Sequence, residues 1–366
     1  MNSAEKIRQW SCRVQNLNAH EKDVGPVLRE IIGVYSSHPS GPLSLFARVP
    51  SLTAEEFLEL EKQKRIYRIP AMRLSAYLLP RETAATVFSA TIPPASDPVW
   101  EKRYTQKGRR VPPENYQHWR QEVLTASGSP RTAAEIRDAV GVPEDVIKPL
   151  LNRLAFEGVI LRIGADSVRS NSLRYVSTAA WAGNSFARVE EEQAAAWLAS
   201  QYLRAFGPAR LKDFQWWTGL NKKQAETALS VNDTTDIGDD CLILTKDLPG
   251  FEGFTAPTGD SLALLPQWDS YTMGYAPDGR RRFVTPDMQQ RIYGTLGATG
   301  GNALGTVLVN GLARGAWTSR FAGNTLKIRL DLFEKLGDRM HSAMIDRFNA
   351  VARFLGAKEA GFEETN

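Results

Sequence analysis

At 366 residues the chain is too long for one ordinary hydrophobic core, which excludes a single small domain and suits two to four modules. The hydrophobic fraction of 42% and the charged fraction of 23% are those of an ordinary globular protein. A formal net charge of +4 permits a nucleic-acid partner without requiring one.

The amino-terminal part of the chain combines helical and extended patterns. Residues 1–33 predict two short helices, the second with apolar residues at helical spacing and a stop at Gly33. After a turn-like stretch over 34–50, another helix is expected to begin at 51–53. Residues 65–80 look extended and lead into a further helix. Helices followed by extended strands predict a first winged-helix unit.

Residues 91–114 predict a loop, because five prolines surround a basic run at 102–110 that has no negative charge. The run is either a solvated connector or an arm that contacts phosphates, with Tyr104 and Trp119 near enough for stacking. Its candidate DNA-binding residues are Lys102, Arg103, Lys107, Arg109 and Arg110.

The clearest local pattern lies at 132–163, which predicts a helix, a turn, a helix and a strand. Thr132 can cap the first helix and Gly141 can end it. Residues 174–181 would then close a wing. This order is typical of a winged helix-turn-helix.

The same order recurs at 190–229, with a turn at Gly219, and residues 243–248 can form its wing strand. Three copies of one small module leave the residues from about 251 onward for a different domain.

The carboxyl-terminal part has three hairpin signals, Asp278-Gly279, Asn310-Gly311 and Gly323-Asn324, each flanked by strand-like residues. Three hairpins predict a small barrel or a curled sheet. Residues 332–356 predict a last helix that packs against it.

The predicted fold class is α+β: three tandem winged-helix domains, then a small C-terminal β-barrel-like domain with a terminal helix. The expected domains are 1–114, 115–185, 186–250 and 251–366.

The composition of the chain gives no sign of a metal, a cofactor or a membrane. Cys12 and Cys241 lie far apart, and the four histidines form no pair at helical or turn spacing. The polar start lacks the apolar core of a signal peptide, and no run of about eighteen apolar residues occurs. We therefore expect a cytoplasmic protein without cofactor or metal.

Four segments carry a family resemblance through their order and spacing: AMRLSAYLLPRE (71–82), YLRAFGPARLKDFQWWTGL (202–220), LLPQWDSYTMGY (264–275) and VLVNGLARGAWTSR (307–320). Together they make the chain resemble the AlkZ/YcaQ-like winged-helix DNA glycosylases, over most of its length. In that family three winged-helix domains and a C-terminal β-barrel form a C-shaped DNA clamp. The resemblance implies a monomeric enzyme that acts on double-stranded DNA containing a modified or damaged base.

Two motifs depart from the family pattern. Where the family carries Gln-x-Gln or Gln-x-Asp in its catalytic cleft, this chain has Tyr35 and Ser37. Where the family often has Arg-Gly-Thr-x-His, this chain has Arg-Leu-Ser-Ala-Tyr at 73–77. The changes could mean lost catalysis, but hydroxyl and phenol replacements favour a re-shaped polar pocket.

Hydrolysis of an N-glycosidic bond passes through an oxocarbenium-like sugar, which needs a negative or dipolar group and a held water. Tyr35, Ser37 and His38 are candidate catalytic residues, yet they contain no carboxylate. Asp269 is the first candidate for that carboxylate, with a structural cap or an arginine partner as its alternative role. Glu55 and Glu56, at a helix start, are further options.

The family resemblance also suggests which residues contact the substrate and the DNA. Tyr77 could contact the base and Arg73 a phosphate, with Ser75 beside them and Trp268 as a stacking platform or a core residue. Each of these two aromatic residues could equally be core. The arginines after the Asp-Gly turn could touch DNA or form an exposed tip: Arg280, Arg281 and Arg282.

The two departures predict an altered target. Hydroxyl and aromatic groups suit a bulky modified base, such as a glycosylated cytosine in phage DNA, and hence antiphage defence. The alternatives are repair of, or self-resistance to, alkylated purines, and a non-catalytic winged-helix DNA-binding protein with 144–156 as recognition helix.

Overall fold

The computed structural model describes residues 3–18, 23–37, 40–107, 110–164, 166–170, 172–294 and 303–363. Its α-helices are α1 (Ser3–Val14), α2 (Val24–Glu30), α3 (Gly41–Phe46), α4 (Ala54–Lys62), α5 (Arg81–Thr91), α6 (Pro98–Tyr104), α7 (Pro113–Ala126), α8 (Ala133–Val140), α9 (Glu144–Phe156), α10 (Thr178–Ala182), α11 (Glu191–Phe206), α12 (Leu211–Thr218), α13 (Lys222–Ser230), α14 (Leu248–Glu252), α15 (Ser270–Met273), α16 (Gln289–Tyr293) and α17 (Asp338–Phe354).

The strands are β1 (Val34–Tyr35), β2 (Ile66–Pro70), β3 (Ala76–Pro80), β4 (Arg131–Thr132), β5 (Ile160–Gly164), β6 (Leu173–Ser177), β7 (Thr234–Asp236), β8 (Leu242–Leu244), β9 (Leu262–Leu265), β10 (Gly305–Val309), β11 (Leu312–Ala322), β12 (Thr325–Leu332) and β13 (Glu359–Glu363). No helix of the described residues is long and apolar enough to cross a membrane.

A six-stranded antiparallel sheet spans what the sequence suggested were two separate units. Its order is β1-β3-β2-β5-β6-β4. The β2–β3 pair comes from the extended stretch predicted at 65–80, and β5–β6 forms the predicted wing. Arg68 and Arg162 are paired across β2 and β5, so the two halves share one backbone ladder.

The helix, turn, helix and strand predicted at 132–163 are observed. Thr132 forms a capping box with Glu135 at the start of α8. Gly141 ends α8 with a φ of 74°, a left-handed conformation that glycine adopts without steric cost. The helices α8 and α9 then precede β5, as local signals alone predict.

The sequence predicts a loop over residues 91–114, but the structure has the helix α6 within this range. The Asp97 side chain accepts a hydrogen bond from the backbone N–H of Val99 and starts this helix. Trp100 and Tyr104 on α6 are buried, so apolar packing overrides the proline signal.

The carboxyl-terminal sheet is an open one among the described residues, in the order β13-β12-β11-β10-β9. The described residues form an open five-stranded sheet here, and they do not show the predicted barrel-like closure. The hairpin signals at 310–311 and 323–324 are confirmed, since each joins two paired strands. The predicted last helix is α17, whose Phe348 ring lies 5.3 Å from that of Trp317 on the sheet.

The third hairpin signal is wrong, because Pro277–Arg282 forms a 3-10 helix. Both carboxylate oxygens of Asp278 accept from Arg210, and Lys212 donates to Oδ2 at 3.0 Å. A Cβ on Gly279 would lie 2.4 Å from Oδ1 of Asp213, so the backbone approaches this carboxylate closely. These tertiary contacts outweigh the local preference of Asp-Gly for a hairpin turn.

Candidate active site

A buried ion pair joins the amino-terminal helices to the segment that precedes α15. Nη1 of Arg48 lies 2.8 Å from Oδ2 of Asp269, and Nη2 lies 2.9 Å from Oδ1. Neither side chain is exposed. The other N–H groups of Arg48 donate to the backbone and side-chain oxygens of Gln15 and to the backbone oxygen of Ser44. The guanidinium therefore uses all its five donors inside the protein.

Asp269 has a structural role in this arrangement. Its Oδ1 also accepts from the backbone N–H of Tyr271 at 2.9 Å, which caps α15. A carboxylate with no exposed surface cannot hold an attacking water. These contacts match the alternative role given from the sequence, a structural cap and an arginine partner, and they offer no support for the predicted catalytic role of Asp269.

The segment that carries Trp268 is held on both sides of that residue. The Ser270 hydroxyl donates to the backbone oxygen of Gly33 at 2.9 Å, and the backbone N–H of Trp268 donates to Ala303. Trp268 itself has a φ of 58°. A bulky residue in the left-handed region is uncommon, and such strained residues concentrate at functional sites.

Three aromatic side chains of the predicted pocket lie together and form what we call the aromatic site: Tyr35, Tyr77 and Trp268. Tyr35 pairs with Tyr77 across β1 and β3, and their ring centroids are 5.8 Å apart with an edge-to-face geometry. The Tyr35 ring lies 5.6 Å from that of Trp268. Tyr77 is buried, whereas Tyr35 and Trp268 are half-buried and keep some surface for a ligand.

Tyr77 is a neutral hydrogen-bonding group at ordinary pH. Burial raises the pKa of its phenol well above the usual value, neighbouring Tyr35 adds to the shift, and Arg73 opposes it. Because a raised pKa keeps the proton in place, the hydroxyl can donate throughout the neutral range.

The backbone after β1 continues its pairing with β3. The Ser36 N–H donates to the backbone oxygen of Ala76, and the Ser37 hydroxyl accepts from the Ala76 N–H at 3.0 Å. Ser37 is exposed at the edge of the aromatic site. His38 lies outside the described residues.

Glu61 is a buried carboxylate that the sequence analysis missed. It forms an ion pair with Arg68, whose Nη1 lies 3.4 Å from the backbone oxygen of Ser36. Glu61 also accepts from the N–H of Gly164. The sequence signal that could have revealed this buried carboxylate is its position, four residues after Phe57 and therefore on the buried face of α4. By contrast, Glu55 and Glu56 are exposed, and the Glu56 carboxylate accepts from the backbone N–H of Thr53, the N-cap residue of α4.

Arg73 lies on the turn between β2 and β3, beside a cleft of about 550 Å³. Its guanidinium lies 4.4 Å from the ring centroid of Trp216, a cation–π geometry. A Cβ on Gly219 would lie 3.2 Å from the Cα of Arg73, so only a glycine allows α12 to end this close to the turn. Ser75 closes the turn through its backbone, accepting from Ala71.

The three arginines predicted for DNA contact do not form a hairpin tip, and two of them have partners inside the protein. Arg280 is fully buried, and its guanidinium lies 3.7 Å from the ring centroid of Tyr293. Arg282 donates to the backbone oxygens of Phe206 and Pro208 and to the Ser11 hydroxyl. Arg281 is exposed.

The predicted basic arm is divided by α6. Tyr104 is buried and donates to Asn152, so it is unavailable for stacking on a base. The guanidinium of Arg103 lies 5.3 Å from the ring centroid of Phe156. The exposed cations of the arm are Lys102, Lys107 and Arg110. Arg109 lies outside the described residues.

Comparison with known proteins relates the chain to a family of DNA glycosylases. The family model described as DNA glycosylase AlkZ-like matches residues 36–354. A search of curated proteins gives no match. Among solved structures, the chain is similar to the DNA glycosylase AlkZ of Streptomyces sahachiroi, with a TM-score of 0.76, 19% identity and 99% of each chain covered. At this identity the structural likeness shows a shared fold alone.

The Arg48–Asp269 pair predicts a large and specific loss of stability in Arg48→Met. The variant leaves a buried carboxylate unpaired, which should cost about 3–5 kcal/mol of unfolding free energy. Arg48→Met/Asp269→Asn should be more stable than Arg48→Met, because the neutral amide keeps the cap of α15 without the charge. Urea unfolding at neutral pH measures both effects.

The matched control is Arg29→Met, which removes an exposed pair with Glu82 and should cost less than about 1 kcal/mol. Equal losses in the Arg29 and Arg48 variants would contradict the structural role of the buried pair.

Proposed function

This chain belongs to the AlkZ-like DNA glycosylase family, and from that premise we propose that it releases a bulky, hydroxyl-bearing modified base from double-stranded DNA, such as a glycosylated cytosine of phage DNA. Family membership makes the chain a DNA glycosylase whose partner is DNA, so a purely regulatory DNA-binding role is set aside. The observation that carries the substrate proposal is the aromatic site.

The aromatic site suits a modified base because it joins ring faces to hydroxyl groups. Tyr35 and Trp268 offer half-buried faces on which a base can stack. The phenols of Tyr35 and Tyr77 and the hydroxyl of Ser37 can both donate and accept. A polar substituent on the base therefore finds partners that a purely apolar pocket would not supply.

In the proposed mechanism, the protein holds a water beside the anomeric carbon while the glycosidic bond breaks. Tyr35, Ser37 and His38 orient this water, because Asp269 is committed to Arg48. The C–N bond breaks with its electron pair on the base, and the neutral phenol of Tyr77 donates a hydrogen bond that stabilises the developing charge. The water's oxygen bonds to the anomeric carbon, and the proton that the water loses ends on the nitrogen of the released base. Asp269 acts at a distance by fixing Trp268.

The second candidate substrate is an alkylated purine, in repair or in self-resistance. A purine alkylated on a ring nitrogen is cationic, and a cation is attracted to the faces of Tyr35 and Trp268. The same aromatic site could therefore serve this target. Release of the base would then need less assistance from Tyr77, because a cationic base leaves as a neutral one.

The surrounding architecture supplies the proposed grip on DNA. We assign three winged-helix units, 1–114, 115–185 and 186–250, to a monomeric clamp that the C-terminal sheet completes, with the first two units joined through the six-stranded sheet. Arg73, beside Trp216, holds a phosphate close to the aromatic site. Exposed cations contribute sequence-independent contacts elsewhere: Arg281, Lys102, Lys107 and Arg110.

The substrate proposal predicts selective base release. Wild-type protein should produce alkali-labile abasic sites in DNA with glucosylated hydroxymethylcytosine and not in unmodified DNA. Tyr35→Phe and Ser37→Ala together should slow release by about 100-fold, because general acid–base and water-orienting groups contribute at this level. Single-turnover cleavage assays on labelled duplexes measure the rates.

Glu59→Gln, on the exposed face of α4, is the control and should retain the wild-type rate. Activity on DNA with alkylated purines, and none on the glucosylated DNA, would refute the modified-cytosine proposal and favour the second candidate.

The DNA-contact proposal predicts a change in salt dependence for Arg73→Gln. Removing one phosphate contact should weaken binding to any duplex and reduce the slope of log K against log salt by about 0.9. Fluorescence anisotropy from 50 to 200 mM salt, a range in which about six contacts would cost 1000-fold in affinity, provides the measurement.

Arg339→Gln, an exposed cation at the start of α17, serves as the control. If both variants show the wild-type slope, Arg73 does not contact a phosphate.

A further inference from the structure

A cavity of about 280 Å³ lies beside segments that adjoin the aromatic site, and the proposed chemistry does not use it. Its walls come from the start of α3, the segment before α15, the strand β11 and the wing tip at 166–170. It therefore lies where the amino-terminal region, the wing and the C-terminal sheet meet.

The cavity adjoins the aromatic site through two short backbone links. Gln267, which lines the cavity, directly precedes Trp268. At the start of α3, a Cβ on Gly41 would lie 2.9 Å from the backbone oxygen of Tyr35. The neighbouring residue, Ser40, lines the cavity, so the cavity and the aromatic site are built on neighbouring residues of the same two segments.

Ser40 is a polar group that a ligand could satisfy. The residue is 3% exposed, and its hydroxyl has no hydrogen-bond partner within the described part of the chain. A buried hydroxyl without a partner costs free energy. A hydroxyl group of a ligand in the cavity would remove this cost.

The lining combines apolar and polar residues. Leu43, Leu326 and Leu355 provide apolar surface. Ser40, Gln267 and Thr318 provide uncharged donors and acceptors. Such a combination fits a sugar ring, which carries C–H groups on its faces and hydroxyls around its edge.

The charged groups at the rim are already engaged. The Arg320 side chain is paired with Glu363, and the Arg169 guanidinium lies 4.5 Å from the ring centroid of Phe321. The remaining polar lining groups are uncharged hydroxyls and an amide, which suit an uncharged ligand.

The volume limits the size of the occupant. Pockets for drug-sized ligands occupy roughly 300–1,000 Å³. A cavity of about 280 Å³ is thus too small for a whole nucleotide together with its substituent, and a single methyl group would leave most of it empty.

From these observations we propose that the cavity is a specificity pocket for an uncharged, hydroxyl-bearing substituent of the modified base, of the size of one hexose. The inference rests on the proposed function, since it assumes that the base itself lies on the aromatic site. The pocket then distinguishes a glycosylated cytosine from the same base without its sugar.

The test compares two duplexes that differ only in the sugar: one with glucosylated 5-hydroxymethylcytosine and one with 5-hydroxymethylcytosine. Fluorescence anisotropy gives the affinities, and single-turnover assays give base release on the same samples. Wild-type protein should bind the glucosylated duplex at least about tenfold more tightly, as expected when buried polar groups gain partners.

Two variants alter the pocket. Thr318→Trp fills it from an exposed strand position where an aromatic residue is favourable, and it should reduce the preference to within about twofold. Ser40→Ala removes the unpartnered hydroxyl and should reduce the preference less. The matched control is Arg329→Trp, directly opposite Thr318 on β12 but outside the cavity lining, which should keep the full preference.

Each outcome decides a separate point. A preference that survives Thr318→Trp would overturn the pocket assignment and leave the proposed function intact. Equal affinity of wild-type protein for the two duplexes would overturn the sugar ligand. Absence of base release from both duplexes, with a binding preference that Thr318→Trp abolishes, would refute the proposed substrate chemistry and support the pocket.

Discussion

The guanidinium of Arg48 is the interaction on which the arrangement of the site depends. It joins the end of α1, through Gln15, to α3 and to Asp269 more than two hundred positions later. Gln15 extends the network by donating to the backbone oxygen of Ala205 at the end of α11. Burying two charges costs several kcal/mol for each ion, so the network is stable only when every partner is present. Four distant segments are thus held in one geometry.

The consequence for function is that the aromatic site lies on a rigid support. Asp269 fixes the start of α15, and the Ser270 hydroxyl bonds the same segment to Gly33 just before β1. Trp268 is therefore held against Tyr35 in a backbone conformation that few bulky residues adopt. Preorganised groups of this kind lose little entropy when they bind a base. The contacts of Asp269 are those of a cap and an arginine partner, the alternative role predicted from the sequence for this carboxylate.

The sequence predicted those features that depend on neighbours in the chain. Thr132 and Gly141 delimit α8 by local capping, and Asn310-Gly311 forms its hairpin because both residues accept a positive φ. The sequence could not predict the 3-10 helix at 277–282, since Asp278 in that helix forms ion pairs with cations remote in the chain. The pairing of β2 with β5, which merges two predicted units, is likewise a long-range contact.

The candidate site likewise contains features that the sequence could predict and others that depend on long-range contacts. The family resemblance drew attention to Tyr35, Tyr77 and Trp268, and they lie together in space. The sequence suggested an arginine partner as an alternative role for Asp269 but could not indicate which arginine, because Arg48 lies more than two hundred positions away. The cavity beside Ser40 arises from segments spread over most of the chain, and only their packing makes it visible.

The most direct measurement of the central claim is a crystal structure with duplex DNA that carries an uncleavable 2′-fluoro analogue of glucosylated hydroxymethylcytidine. The account predicts the extrahelical base in contact with Trp268 and Tyr35, with an intact Arg48–Asp269 pair beneath it; a base bound elsewhere, for example against Trp216, would contradict it.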